Sequence, residues 1–152
     1  MARNDIVFEH AEITFRNFSG KPTAFSANPG RNFSIWLSQE QAKELSDNGW
    51  NVRMTNPTNP EYEPRPYLPV KVEYDNYPPK VVLVKESTKK MIPLDEESIK
   101  QLDYAEIINA DVVINPYNWE VNGKKGIKAY LKSMYVTIAE NVLDDKYADY
   151  SY

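Results

Sequence analysis

Two strand-like runs joined by Asn122-Gly123-Lys124-Lys125-Gly126 constrain this chain more than any other feature of its sequence. Ala110 to Val121 and Ile127 to Ala139 are rich in β-branched and aromatic residues, and Asn-Gly supplies the positive backbone angles that a tight hairpin turn requires. Counting by twos down the second run, Lys128, Tyr130 and Lys132 share one face while Ile127, Ala129 and Leu131 share the other. The hairpin is therefore apolar on one side and cationic on the other. Beyond Lys132 the lysine parity turns apolar, at Met134, Val136 and Ile138, so either the cationic face is short or a bulge exchanges the two faces.

The segments before the hairpin are short and mostly extended. Ile6 to Phe18 alternates as one strand, with Ile13 and Phe15 on one face and Thr14, Arg16 and Phe18 on the other. Asn28-Pro29-Gly30 marks a turn, after which Arg31 to Leu37 (RNFSIWL) reads as a second strand that pairs with the first. Ser38 with Gln41 forms a capping box and Asn48-Gly49 a stop signal, which together predict a helix. Prolines at 57, 60, 64, 66 and 69 predict an extended surface loop from Asn56 to Pro69. Tyr67 to Tyr74, Lys80 to Glu86 and Lys90 to Pro93 read as further strands. Leu94 and Ile99 flank Asp95 as a hydrophobic staple, predicting a second helix from Asp95 to about Asp103. The order is mainly β with two short helices, which fits an OB-fold-like five-stranded barrel with insertions; a small α+β sandwich is the alternative.

The 152 residues suit one domain, expected over 1–139, followed by an acidic tail over 140–152. In that tail Glu140, Asp144, Asp145 and Asp149 face Lys146 alone, and no apolar period runs through it, so it is expected to be mobile. The net charge of −4 is thus unevenly distributed, because Asn115 to Tyr135 holds four lysines against Glu120. The absence of cysteine excludes a disulfide framework, thiolate metal sites and a cysteine nucleophile. With no apolar segment behind Met1 and no stretch of membrane-spanning length, a cytoplasmic protein without membrane attachment is expected, in the host cytoplasm if the gene is carried by a phage.

Enzyme signatures are missing. The five glycines form no phosphate loop, His10 is the sole histidine, and Asp95-Glu96-Glu97 is explained by the first turn of a helix rather than by a chelated Mg²⁺. The chain is accordingly expected to be non-enzymatic, with no metal and no cofactor. The final hairpin carries the binding chemistry instead: a tyrosine between lysines can stack on a base while the ammonium groups meet flanking phosphates. Candidate nucleic-acid-binding residues are Lys124, Lys125, Lys128, Tyr130 and Lys132, with Tyr117 and Trp119 sharing a parity on the partner strand, either stacking or in the core. Lysine beside tyrosine on a solvated face also guards a sheet edge against aggregation, which is the competing explanation. Arg16-Asn17-Phe18-Ser19 is repeated as Arg31-Asn32-Phe33-Ser34, which adds Arg16, Arg31 and Phe33 to the candidates if the repeat lines one groove.

The segments AEITFRNFSGK, GRNFSIWL, GWNV, YLPVKVEY with PPKVVLV, and above all PYNWEVNGKKGIKAYLKSMYVTI resemble a family of small phage and prophage proteins. The resemblance covers the chain from Glu12 to Glu140. It implies an OB-fold protein that binds single-stranded DNA during phage replication or recombination, with sequence-tolerant contacts. Replication or recombination proteins are then the expected partners of the acidic tail, and a homo-oligomer is compatible with the sequence. The alternative is a phage-encoded interaction or inhibitor protein that meets a host protein through its acidic stretches. A Mg²⁺ nuclease built on scattered acids ranks last.

Overall fold

The computed structural model describes residues 5–24, 26–75 and 78–139; the expected acidic tail lies outside them. Nine strands among these residues form one sheet: β1 (Ile6–Phe8), β2 (Ile13–Asn17), β3 (Arg31–Trp36), β4 (Arg53–Met54), β5 (Pro66–Val72), β6 (Lys80–Lys85), β7 (Met91–Leu94), β8 (Ile107–Val121) and β9 (Lys124–Ile138). Helix α1 (Gln39–Asp47) and a 3-10 helix (Ser98–Asp103) complete the regular structure.

The hairpin is longer and its turn tighter than expected. Asn122 (φ 51°) and Gly123 (φ 79°) alone make the turn, Val121 faces Lys124, and the antiparallel pairing runs back to Ile107 opposite Ile138. Two successive positive φ values match the right-handed twist of the flanking strands. Lys124, Lys125 and Gly126 consequently belong to β9 and not to a loop. Val113 faces Ser133 and Ile114 faces Leu131, which leaves Lys132 as an extra residue on β9. Of the two readings of the parity break, the bulge is the one found: the buried positions move from Ala129 and Leu131 to Met134 and Val136.

Strand β9 is the hub of the sheet. Along its other edge β5 pairs with it in parallel at Ala129 and Tyr130, and β6 pairs in parallel from Ser133 to Ile138. The strand path β1-β8-β9-β5-β3-β2 does not close, so the expected five-stranded barrel is corrected to an open sheet of nine strands. The cause lies at the expected first strand. His10 takes φ 55°, its N–H donates to Asp111 Oδ1 (3.0 Å) and its Nδ1 lies 2.6 Å from Asn109 Oδ1. Ile6 to Phe18 therefore forms two strands at opposite ends of the path, one on β8 and one on β3.

A second irregularity sits in β2. Its pairing with β3 shifts between Thr14 and Asn17, and Phe15 adopts φ 48°. Strict alternation would send Phe15 inward with Ile13; instead it is 53% exposed, and Phe18 is the residue that enters the core. There Phe18 joins Phe33, Ile35, Leu68, Ile114 and Met134, each shielded from water and each contributing about 1.5–3 kcal/mol of burial.

The connecting elements follow local chemistry. Ser38 Oγ accepts from Gln41 N–H (3.1 Å), Gln41 Oε1 accepts from Ser38 N–H (2.9 Å), and Gly49 (φ 92°) follows the C-cap Asn48. The second expected helix is a 3-10 helix that begins only at Ser98, because Asp95 Oδ1 draws the N–H groups of Glu97 (3.0 Å) and Ser98 (2.7 Å) into a turn. Its Ile99 and Leu102 are buried as the staple implied. The proline-rich loop is shorter than expected, since Pro66 and Pro69 lie inside β5. Pro69 is tolerated there because it falls between the β4 pairing at Pro66 and Tyr67 and the β9 pairing at Val70 and Lys71.

Candidate nucleic-acid interface

Register places one row of outward side chains across four strands. Asn32 on β3 faces Lys71 on β5, Lys71 faces Tyr130 on β9, and Tyr130 faces Asn115 on β8. One step toward the hairpin turn, Lys128 faces Tyr117. The Tyr117 and Tyr130 rings stack with centroids 5.2 Å apart and planes 25° from parallel. Tyr117 is 52% exposed, so the pair presents ring surface to solvent while its inner partner Tyr130 is half-buried. Asn32, Asn51, Arg53, Lys71 and Lys128 line a groove of about 230 Å³ beside this pair. Lys71, Lys128 and Arg53 have no carboxylate partner among the described residues, so the groove is cationic.

The other expected residues divide clearly. Lys124 and Lys125 are both exposed beside the turn; Lys124 shares the parity of Lys128 and Tyr130, whereas Lys125 has the parity of Ile127 and faces Glu120. Trp119 packs over Gly126, where an added Cβ would come within 2.8 Å of its ring, and its indole N–H is buried with no acceptor among the described residues. It is a half-buried wall beside the platform and not an open ring. Lys132, on the bulge, is drawn aside by Asp5 (2.7 Å).

Of the tetrad repeat only Asn32 lines the groove; the expected Arg16, Arg31 and Phe33 do not. Arg16 donates to the carbonyls of Leu102 (2.8 Å) and Ala105 (2.7 Å), tying β2 to the end of the 3-10 helix. Arg31 pairs with Glu96 (3.2 Å) and lies over the Tyr74 ring, whose hydroxyl is pushed above its ordinary pKa by burial, an effect that Arg31 partly opposes. Phe33 is 0% exposed and stacks on Phe18 at 5.1 Å. The repeat does bring its two phenylalanines together, but inside the core, where neither can meet a ligand.

Sequence reasoning missed Lys71 and Arg53, although alternation in YLPVKVEY places Tyr67, Pro69 and Lys71 on one face. It also missed an outward aromatic cluster at the far end of the same strands. Phe15 lies 5.4 Å from Trp36 and 5.1 Å from Tyr67, Trp36 lies 6.1 Å from Tyr67, and the Arg65 guanidinium sits 4.0 Å over Trp36. Among the described residues no cluster of three or more His, Cys, Asp or Glu could hold a metal ion, and no helix is long and apolar enough to cross a membrane.

An open β sheet with an aromatic and cationic outer row defines a binding domain. A family model described as "Putative phage ssDNA-binding domain" matches residues 1–152, and the chain belongs to this phage single-stranded-DNA-binding family. No curated protein matches the sequence. Among solved structures, the fold is similar to that of the single-stranded DNA-binding protein from bacteriophage Enc34 in complex with ssDNA, with 14% identity and a TM-score of 0.56 over 90% of this chain and 88% of that one. A second structure of the Enc34 protein matches with 12% identity and a TM-score of 0.52 over 87% and 79%. Its C-terminal truncation gives 14% identity and a TM-score of 0.53 over 90% and 87%.

Proposed function

We propose that this protein binds single-stranded DNA without sequence preference and without catalysis, in phage replication or recombination, through the outer sheet face centred on Tyr117 and Tyr130. The observation that carries this reading is the stacked tyrosine pair flanked by Lys128 and Lys71, which have no carboxylate partner among the described residues. Stacking tolerates any base, and lysines follow the backbone regardless of sequence. Lys124 extends the phosphate track toward the hairpin turn, and Trp119 bounds it. Family membership supports the substrate class, as does the likeness in fold to an Enc34 protein in complex with ssDNA.

The OB-type reading also finds support in the strand order. Strands β1 and β2 are consecutive in the chain, so taking them as one kinked strand leaves five segments on the main strand path, β5 parallel to β9, with β4, β6 and β7 off it and the β8–β9 hairpin beside the groove. In this reading the acidic sequence from Glu140 onward meets partner proteins.

Titrating oligo-dT while following tryptophan emission tests the proposal. Tight binding at low salt is expected, and Tyr117→Ala with Tyr130→Ala should weaken it by about 5-fold or more. Undiminished affinity in the folded double variant would move the site elsewhere; no binding by the wild type at low salt would refute the function.

A further inference from the structure

We propose that Phe15, Trp36 and Tyr67 form a second base-stacking platform on the same sheet face, so that full affinity requires a strand long enough to reach both platforms. This rests on the single-strand-binding reading above and adds a second subsite and a length requirement to it.

Register fixes the placement. Trp36 faces Tyr67 and Asn32 faces Lys71 on the same pair of strands, four residues along, and Lys71 faces Tyr130. At about 3.3 Å per residue and about 4.8 Å between strands, the two platforms lie about 14 Å apart. Ser34 and Pro69 form the row between them, and Asn32 and Lys71 lie in the row of Tyr130, so a strand leaving the second platform passes over Pro69 and then meets the amide of Asn32 and the ammonium of Lys71.

The backbone at Phe15 is the second line of evidence. A bulky side chain at φ 48° is an uncommon and strained conformation. Its effect is to take a phenyl ring that alternation would bury and set it half-exposed against Trp36 and Tyr67. Burial would have stabilised the fold, so this strain serves the outer face.

Electrostatics agree. Arg65 stacks over Trp36 at 4.0 Å, and its contact with Glu12 is a long 3.7 Å pair between two exposed side chains. A pair of that kind holds the guanidinium weakly. Arg65 can therefore stay against the indole and still offer its donors to a phosphate, while a base takes the open Phe15 ring. At about 3.4 Å per stacked nucleotide the span corresponds to roughly four nucleotide steps, or fewer in a drawn-out strand.

The test is a length series of oligo-dT, from about two to about a dozen nucleotides, covering the site sizes of such folds. It compares the wild type with Phe15→Asn, which removes the ring while tolerating the left-handed backbone. For the wild type, affinity should step upward once the strand spans both platforms. Phe15→Asn should lose about 5-fold or more on the long strands and little on the shortest, which bind at Tyr117 and Tyr130. Arg65→Gln should likewise weaken only the long ones. Long strands bound by a folded Phe15→Asn variant as tightly as by the wild type would overturn the second platform and leave the proposed function intact. Failure of the wild type to bind any length would overturn both.

Discussion

Gly126→Ala is a stringent probe of the hairpin, because what the new methyl group meets is rigid. Gly126 lies opposite Trp119, and a Cβ there would fall 2.8 Å from Trp119 Cζ2, 2.9 Å from Cε2 and 2.8 Å from Asn51 Oδ1. Contacts of that length cannot persist. Asn51 can rotate, but its backbone is held by its N–H to Ile127 O (2.9 Å), and the indole is a flat plate that must tilt away as a whole. Overpacking of this kind costs about 1–3 kcal/mol. Replacing glycine lowers the entropy of the unfolded chain and returns about 0.4–1 kcal/mol, so a net loss of roughly 0.5–2 kcal/mol is expected. For a domain of this size that lowers Tm by about 1–8 °C. Urea denaturation should show a lower midpoint with an unchanged slope, and tryptophan emission of the folded variant should shift to longer wavelength as Trp119 leaves its half-buried seat. A variant as stable as the wild type, with the same emission spectrum, would refute the packing of Trp119 on Gly126 and with it the role of this residue as a wall beside the groove.

Three other variants separate surface charge from structure. Lys71→Gln with Lys128→Gln removes two groove cations, and at about 0.7 per phosphate on a single strand the slope of log K against log salt should become shallower by about 1.4. Lys132→Gln, already engaged by Asp5, should change that slope less; a larger effect from Lys132 would relocate the phosphate track. Asp103→Ala tests the tie between β2 and the 3-10 helix, since its carboxylate accepts from Phe18 N–H (2.6 Å), Ser19 N–H (3.2 Å) and Ser19 Oγ (2.7 Å). Leaving those donors without an acceptor in a partly buried site should cost about 1–3 kcal/mol in urea denaturation, with oligo-dT affinity preserved in the folded protein.

What the sequence disclosed was whatever is decided within a few residues. Asn122-Gly123 specified its turn, Ser38 and Gln41 their capping box, and the loss of lysine parity after Lys132 narrowed the hairpin to a short cationic face or a bulge, because each depends on the backbone preferences of adjacent residues. Contacts across long separations were not legible. Arg16 looks like a surface charge until the carbonyls of Leu102 and Ala105 arrive from 86 and 89 residues away. Phe33 looks like a groove residue until Phe18 meets it in the core. The split of the expected first strand into β1 and β2 likewise depends on His10 reaching Asn109 and Asp111, a separation of about a hundred residues that no local pattern encodes.

The two departures from strict alternation bear most directly on the candidate face. At Thr14 to Asn17 the shifted register turns Phe15 outward toward Trp36 and Tyr67, while Phe18 takes the inward place that packs on Phe33. At Lys132 the extra residue ends the outward run that contains Lys128 and Tyr130, sends the next side chains inward as Met134 and Val136, and leaves the lysine within reach of Asp5. A regular pair of strands could not do this: with side chains alternating strictly, extending the aromatic row by one ring would remove one apolar residue from the core. A bulge relaxes that constraint by one residue. Phe15 could thus move to the surface without leaving β2 short of a core residue, and the outer face acquired its shape at two points where the pairing slips.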